Sequence, residues 1–468
     1  MFRTARLLAM KTDLRQKRKC ALLIILVVTM VYWVRWQKSD NQIRGFIHSA
    51  YYYTESKSLG KNAIAIVLTV NRKIATGQRI EVIGTNSTMT TSSVAEISIE
   101  FEGSGKQFVT GLLQANLEVN GLERLEIDLD GQVFEIPFQH VQSTPRLPVV
   151  FCVAPQLITE HWQPFLAQVH IAKHFGAHSH FYFSRLTDAF FELTREYESL
   201  GFLTSQTWTQ YEKSSRGAVF TDCLLQFKER AEYVVFLEPD EILVPKLADS
   251  YFEEYMREFR RHPLISSLRY QHVEADVKMD NPWDTHSILE TVRSIREVPS
   301  FERGRLAVRT EMFNSTGPKF SVNANTRENS RVTKQLKNRV VQLVKVEQNA
   351  ENRRDLRSID EQFNELISEK QLNDIENEWN KVKMRFALQK NGENLATTPI
   401  FSRNFKNCIL TPTKDCRNLV SSRMLDEKCV KSEGTIVTRP SEDAAISLSF
   451  AVEQPIFVRN SNCFAMSF

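Results

Sequence analysis

Seven cysteines occur in 468 residues without one CxxC pair. This spacing excludes the common zinc ribbons and fingers. A glycine-rich phosphate loop is absent, so any diphosphate must be held by something other than a cradle of glycine amides. No histidine follows His286. Uncompensated charge is scarce as well. Lys and Arg number 60 against 56 Asp and Glu. The first nineteen residues hold seven of the basic residues and one of the acidic ones, leaving 53 basic against 55 acidic. The basicity therefore belongs to a short tail. With no RNA-binding signature either, nucleic acid is not an expected partner.

One apolar run stands out. Cys20 to Trp36 reads CALLIILVVTMVYWVRW, apolar until Arg35 and about the shortest length that spans a bilayer. The basic tail before it puts residues 1–19 in the cytosol by the positive-inside rule. A cleaved signal peptide would need small residues at its end, and Val31-Tyr32-Trp33-Val34 is bulky. The expectation is a single-pass type II membrane protein. Its signal anchor spans 20–36, a stem 37–45, and the body lies in the lumen, in the Golgi. Cys20 sits at the cytosolic edge of the anchor. The six remaining cysteines, Cys152, Cys223, Cys408, Cys416, Cys429 and Cys463, suit an oxidising lumen. They allow fifteen pairings. One, Cys152 with Cys223, would tie a strand to the helix before the acidic loop described below. Two sequons, at Asn86 and Asn314, are glycosylation candidates.

The body is too long for one ordinary domain. Within a unit bounded at 46–146, residues 63–138 carry strand-like runs, with period-two alternation in Leu125-Glu126-Ile127-Asp128-Leu129 and a turn at Asp130-Gly131. They predict a small antiparallel β domain. From Val149 strands alternate with helices, which predicts a parallel sheet in an α/β domain over 147–400. Gly176 and Gly201 end two of the helices. Ser358 and Glu361 form a capping box opening a helix of about thirty residues, with Ile359, Phe363, Leu366, Ile375, Trp379, Val382 and Phe386 on one face. A cysteine-containing segment, 401–468, completes the chain.

The stretch richest in chemistry is Ala231 to Pro245, AEYVVFLEPDEILVP. A continuous apolar run, as in a buried parallel strand, breaks into three carboxylates, Glu238, Asp240 and Glu241. Ligands of open α/β sheets bind just beyond the carboxyl ends of strands. Carboxylates there can hold a hard divalent cation, which can neutralise a diphosphate leaving group. This is the pattern of a nucleotide-sugar transferase with a Rossmann-like GT-A fold; a solvated acidic turn is the plainer alternative. Asp240 is the first candidate metal ligand. Glu238 could reach the metal or the donor ribose, and Glu241 the donor sugar or a neighbouring ligand. Inversion needs a general base. Glu274 and Asp276, ending the next strand, are candidates, with Asp280 and Asp284 less well placed. His170, His174, His178 and His180 cluster in sequence, as packing histidines often do.

The chain resembles glycosyltransferase family 92, type II membrane proteins abundant in nematodes, over about residues 46–430. The likeness rests on an ordered series. It opens with Phe46-Ile47-His48-Ser49-Ala50-Tyr51 and Cys152-x-Ala154-Pro155. Gly176-Ala177-x-x-His180-Phe181-Tyr182-Phe183 and Glu196-Tyr197-x-x-Leu200-Gly201 follow. Asp222-Cys223-Leu224 and Asp240-Glu241 close it. The resemblance implies transfer of a hexose, galactose in known cases, from a UDP-sugar to a glycan acceptor. It implies inversion and a divalent metal, Mn2+. It also places Asp222 near the donor, where a helix-surface acid is the other reading. The chain departs from the family in two respects. Glu238 stands where the family has Asp, and the family's later histidines are missing. The second departure leaves a non-catalytic sugar-binding or scaffolding protein of the same fold as the alternative. The sequence leaves the oligomeric state open.

Overall fold

A computed structural model describes residues 29–30, 43–71, 79–99, 108–155, 161–209, 216–278, 282–298, 304–314, 333–344, 365–388, 395, 428–441 and 446–460. Apart from residues 29 and 30, the anchor expected at 20–36 lies outside these, as do Cys20, Cys408, Cys416, Cys463 and Asp280. Among the described residues no helix is long and apolar enough to cross a membrane.

The described elements of residues 43–140 are all strands: β1 (Ile43–Ser56), β2 (Gly60–Asn71), β3 (Arg79–Thr85), β4 (Thr90–Ile99), β5 (Phe108–Asn116), β6 (Arg124–Leu129), β7 (Gln132–Glu135) and β8 (Gln139–His140). Pairing among β1 to β7 is antiparallel. The β6–β7 hairpin turns at Asp130 and Gly131, with φ of 50° and 88°. Positive φ at both central residues matches the twist of a two-residue hairpin. The Asp128 carboxylate accepts from the Gly131 N–H at 2.7 Å.

The second half alternates: β9 (Leu147–Val153), α1 (Trp162–His174), β10 (His178–Phe183), β11 (Arg185–Thr187), α2 (Asp188–Ser199), β12 (Leu203–Thr207), α3 (Arg216–Phe227), β13 (Ala231–Leu237), β14 (Glu241–Leu243), α4 (Tyr251–Arg261), β15 (Ser267–Asp276), α5 (Ile288–Arg293), β16 (Arg296–Val298), β17 (Arg305–Arg309), β18 (Thr333–Val344) and α6 (Glu369–Leu388). Four strands follow: β19 (Cys429–Glu433), β20 (Ile436–Pro440), β21 (Ile446–Ala451) and β22 (Ile456–Asn460).

Glycines end α1 and α2 as expected. Gly176 (φ 82°) and Gly201 (φ 71°) take the left-handed conformation. The following amides reach back, Ala177 to the Ala172 carbonyl at 2.8 Å and Phe202 to that of Tyr197 at 3.0 Å. This is the six-to-one closure that glycine permits. The long helix differs from expectation. It begins at Glu369, not Ser358, and spans 20 residues. Its capping pair is Ser368 and Gln371: the Gln371 side chain accepts from the Ser368 amide at 2.9 Å, and Ser368 Oγ from the Gln371 amide at 3.3 Å. Residues 365–368 are not α-helical, and 358–364 lie outside the described residues.

The second sheet runs β12-β10-β9-β13-β17-β15-β18-β14, with β16 beside β15. Strands β12, β10, β9 and β13 are mutually parallel. The chain winds one way from β9 to β10 and β12, then returns to lay β13 on the other flank of β9. That reversal makes the carboxyl ends of β9 and β13 the topological switch point. The fold is thus mixed α/β. The C-terminal strands are woven into the rest. β21 lies parallel to β1 and β20 pairs with β21, extending the first sheet. β19 and β22 form a third sheet with β11. Between the two large sheets lies a shared core that includes Tyr51, Tyr53, Val67, Val150, Phe220, Leu224 and Phe236.

Candidate functional site

The apolar run Tyr233 to Leu237 is buried as β13, and the acids begin where it ends. The turn lies at the switch point, because the Ala154 amide just past β9 donates to the Leu237 carbonyl at 3.0 Å. Every part of the turn is tethered. Gln168 of α1 donates from Nε2 to the carbonyls of Glu238 and Glu241 at 2.8 and 2.7 Å. The Glu241 amide donates to the Glu238 carbonyl at 3.1 Å, and the Leu343 amide to the Asp240 carbonyl at 2.8 Å. The Glu238 amide donates to Glu241 Oε2 at 3.0 Å.

The side chains are held by charge. Arg305, first residue of β17, forks onto Glu241, with Nε 3.0 and 2.8 Å from its two carboxylate oxygens. Its Nη2 reaches Glu241 Oε1 at 2.5 Å and Glu238 Oε1 at 3.0 Å. His272 Nε2 lies 3.0 Å from Glu241 Oε1. Glu241 is fully buried and Glu238 nearly so. Burial alone would raise the Glu241 pKa. Arg305 and His272 outweigh it and hold the carboxyl down to about 2. Asp240 is the partly exposed acid of the three.

The other expected site residues are spread more widely. Glu274 and Asp276 lie half-buried at the carboxyl end of β15. In register, Glu241 pairs with Gln342 and Gln342 with Glu274, so Glu274 is two strands across from Glu241. At ~4.8 Å per strand the backbones stand about 10 Å apart. Asp222 does not lie on the helix surface. It is fully buried between the sheets, accepting hydrogen bonds from Tyr51 at 2.8 Å, Tyr182 at 2.5 Å and Ser49. Burial raises its pKa, and the three hydroxyls oppose the rise. The adjacent Cys223 forms a disulfide with Cys152, joining α3 to β9. Cys429 is disulfide-bonded too.

The clustered histidines pack. His170 lies 2.8 Å from the Tyr197 hydroxyl and 3.3 Å from Glu378; His178 and His180 share Thr204. His286, the last histidine, is buried against Trp162 and Trp379. Asn86 lies in the β3–β4 turn, its Oδ1 accepting from Thr88 and Met89. Asn314 accepts from Ser58 at 2.8 Å, and Ser315 and Thr316 lie outside the described residues.

Sequence reasoning missed Gln168, His272 and Arg305. The faint signal for Arg305 is a charged residue opening the apolar strand Leu306-Ala307-Val308; nothing marks the other two. Among the described residues no three His, Cys, Asp or Glu side chains are placed to hold a metal. Arg305 engages the carboxylates of Glu238 and Glu241, and a hard cation held at the partly exposed Asp240 would take water and substrate phosphates as its other ligands.

The profile of glycosyltransferase family 92 matches residues 147–383, half of the chain. A family 92 protein of Caenorhabditis elegans is 33% identical over 296 residues, covering 59% of this chain and 57% of that protein. A second is 34% identical over 290 residues, covering 58% and 57%. The chain thus spans less than two thirds of the length of these relatives. Among solved structures, S. aureus TarS 1-349 in complex with UDP aligns at 11% identity and a TM-score of 0.26, covering 42% of this chain and 60% of that one. So slight a likeness carries no weight here. On the profile match and these relatives, the chain belongs to glycosyltransferase family 92.

Proposed function

We propose that this chain is a metal-dependent, inverting glycosyltransferase with a GT-A catalytic unit. It moves a hexose, galactose by family resemblance, from a UDP-sugar to a glycan acceptor. The observation that carries the reading is the tethered acidic turn at the switch point of a family 92 chain. Asp240 is the carboxylate that would hold Mn2+, and Glu238 and Glu241, engaged by Arg305, support it from behind. When bound, the metal supplies positive charge against the leaving diphosphate. The other side of the reaction needs a base to take the proton from the acceptor hydroxyl as it attacks. Glu274 and Asp276, on the strand ends beside the turn, are the candidates. The anchor at 20–36 and the glycans at Asn86 and Asn314 complete a type II Golgi protein. The buried Cys152–Cys223 disulfide supports the oxidising compartment.

One observation favours the non-catalytic alternative: two of the three acids are already paired with Arg305. The deciding experiment is turnover of UDP-sugars by the purified full chain, with and without Mn2+, beside calorimetry of UDP. Asp240→Asn keeps the volume and removes the charge. It should weaken Mn2+-dependent UDP binding about tenfold or more, the loss of a charge-assisted contact of roughly 1.5–3 kcal/mol. Wild type that binds no UDP-sugar with Mn2+, or Asp240→Asn that binds equally well, would overturn the metal-site reading.

A further inference from the structure

We propose that Arg305 is the positioning residue of the acidic turn, and that Gly304 is the feature that lets it reach. The proposal rests on the reading of this turn as the donor site. Arg305 comes from a strand 64 residues beyond Glu241, yet its guanidinium engages both flanking glutamates at once. A buried ionic cluster is a poor device for stability alone, because desolvation offsets much of its attraction. A planar fork is a good device for geometry, because each N–H fixes one oxygen.

The tethers converge on one outcome. Gln168 fixes the carbonyls on either side of Asp240, the Leu343 amide fixes the carbonyl of Asp240 itself, and Arg305 fixes the two flanking carboxylates. Glu241 then returns a carboxylate oxygen to the Glu238 amide. Together they set the direction in which the Asp240 side chain leaves the turn. Arg305 is the member of this set that supplies positive charge. Without it, the guanidinium bridge between the Glu238 and Glu241 carboxylates is gone, and the Glu238 amide loses a carboxylate held in place.

Gly304 makes the placement possible. β17 begins against β15, with Arg305 opposite Tyr270. A Cβ on residue 304 would stand 1.7 Å from the Tyr270 carbonyl oxygen and 2.8 Å from its carbon, both backbone atoms. Only glycine allows the start of β17 to lie this close, and this approach sets where the Arg305 side chain begins.

The test uses the purified full chain with Mn2+ and UDP as probes. Arg305→Lys keeps the charge and loses the fork. It should weaken UDP binding in Mn2+ about tenfold or more while the thermal midpoint moves by only a few degrees. Gly304→Ala alters no charge and no ligand, and should weaken binding as well. Hydrogen exchange across residues 237–244 gives an independent readout, because the Glu238 amide reports the Glu241 carboxylate directly. Exchange there should speed up in Arg305→Lys. Lysine that binds like wild type, or affinity that falls only in proportion to stability, overturns the positioning role. If wild type binds no UDP with Mn2+, the donor-site reading falls. Exchange at the Glu238 amide then decides the positioning claim by itself, and unchanged exchange in Arg305→Lys refutes it.

Discussion

Glu241 shows how a residue's role follows from its partners rather than its type. In the sequence it is the third of three acids and reads as a donor contact or as a neighbour of the metal ligand. In the fold it is fully buried, forked by Arg305 and touched by His272. Replacing one member of a buried charge pair strands the other, at a cost of about 3 kcal/mol or more. Glu241→Gln should therefore lower the denaturation midpoint sharply, whereas Asp240→Asn, on the partly exposed acid, should barely move it. Equal stability of the two variants in chemical denaturation would contradict this division of labour. The acids were legible because a buried strand that breaks into carboxylates is a local pattern. Their partners were not. Gln168, His272 and Arg305 stand 73, 31 and 64 residues from Glu241, and no local rule joins them.

At the scale of elements, local chemistry was read well where it decides the outcome. The Asp130-Gly131 hairpin and the glycine stops at Gly176 and Gly201 are backbone requirements that few other residues meet. β1 escaped notice because it has no alternation: Tyr51, Tyr52 and Tyr53 are all buried, one face in the core of the β domain and the other between the sheets. The long helix was misplaced by a rival capping pair, since Ser358–Glu361 and Ser368–Gln371 are equally good in sequence. Packing is what anchors it. Trp379 packs edge-to-face and Phe386 tilted against Trp283, and Glu378 reaches Lys173 at 2.7 Å and His170 at 3.3 Å.

That last contact has a pH signature. Burial opposes ionisation of Glu378, but His170 and Lys173 outweigh it and lower its pKa from 4.5 to about 2. A carboxylate with a depressed folded value contributes stability above its unfolded pKa and loses it as pH falls. The contribution should be complete above pH 4.5 and vanish toward pH 2. Glu378 is only half-buried, so screening keeps it to about 1 kcal/mol at most. Glu378→Gln should flatten this part of the stability profile. Denaturation curves at pH 6 and pH 3 that respond to acid as steeply in the variant as in wild type would refute it.

On the scale of the whole molecule, the body is sewn together across its length. β20 and β21 join the sheet that begins at Ile43, and Arg459 of β22 pairs with Asp188 and Glu192 of α2. Asp222 gathers hydroxyls from β1 and β10, beside the Cys152–Cys223 bridge. The bridge crosses a sequence separation of 71 residues. Replacing both cysteines with alanine should cost about 2–5 kcal/mol. It should also release the helix that carries Asp222, seen as faster hydrogen exchange across 216–227. A double variant as stable as wild type would show that packing alone holds α3.

Sequence alone determined the features set within a few residues: the strand that ends in acids, the glycine-closed helices, the β-then-α/β order and the ordered motifs of family 92. Those depend on backbone conformation and burial periodicity, which neighbouring residues dictate. Tertiary structure decided everything that required distant chain to meet. It paired Arg305 and His272 with Glu241, buried Asp222 in the seam between sheets rather than on a helix surface, and placed C-terminal strands beside the first one. The physical reason is common to all three. A buried charge or an open sheet edge must find a partner, and its sequence neighbours, committed to their own strand or helix, cannot supply one.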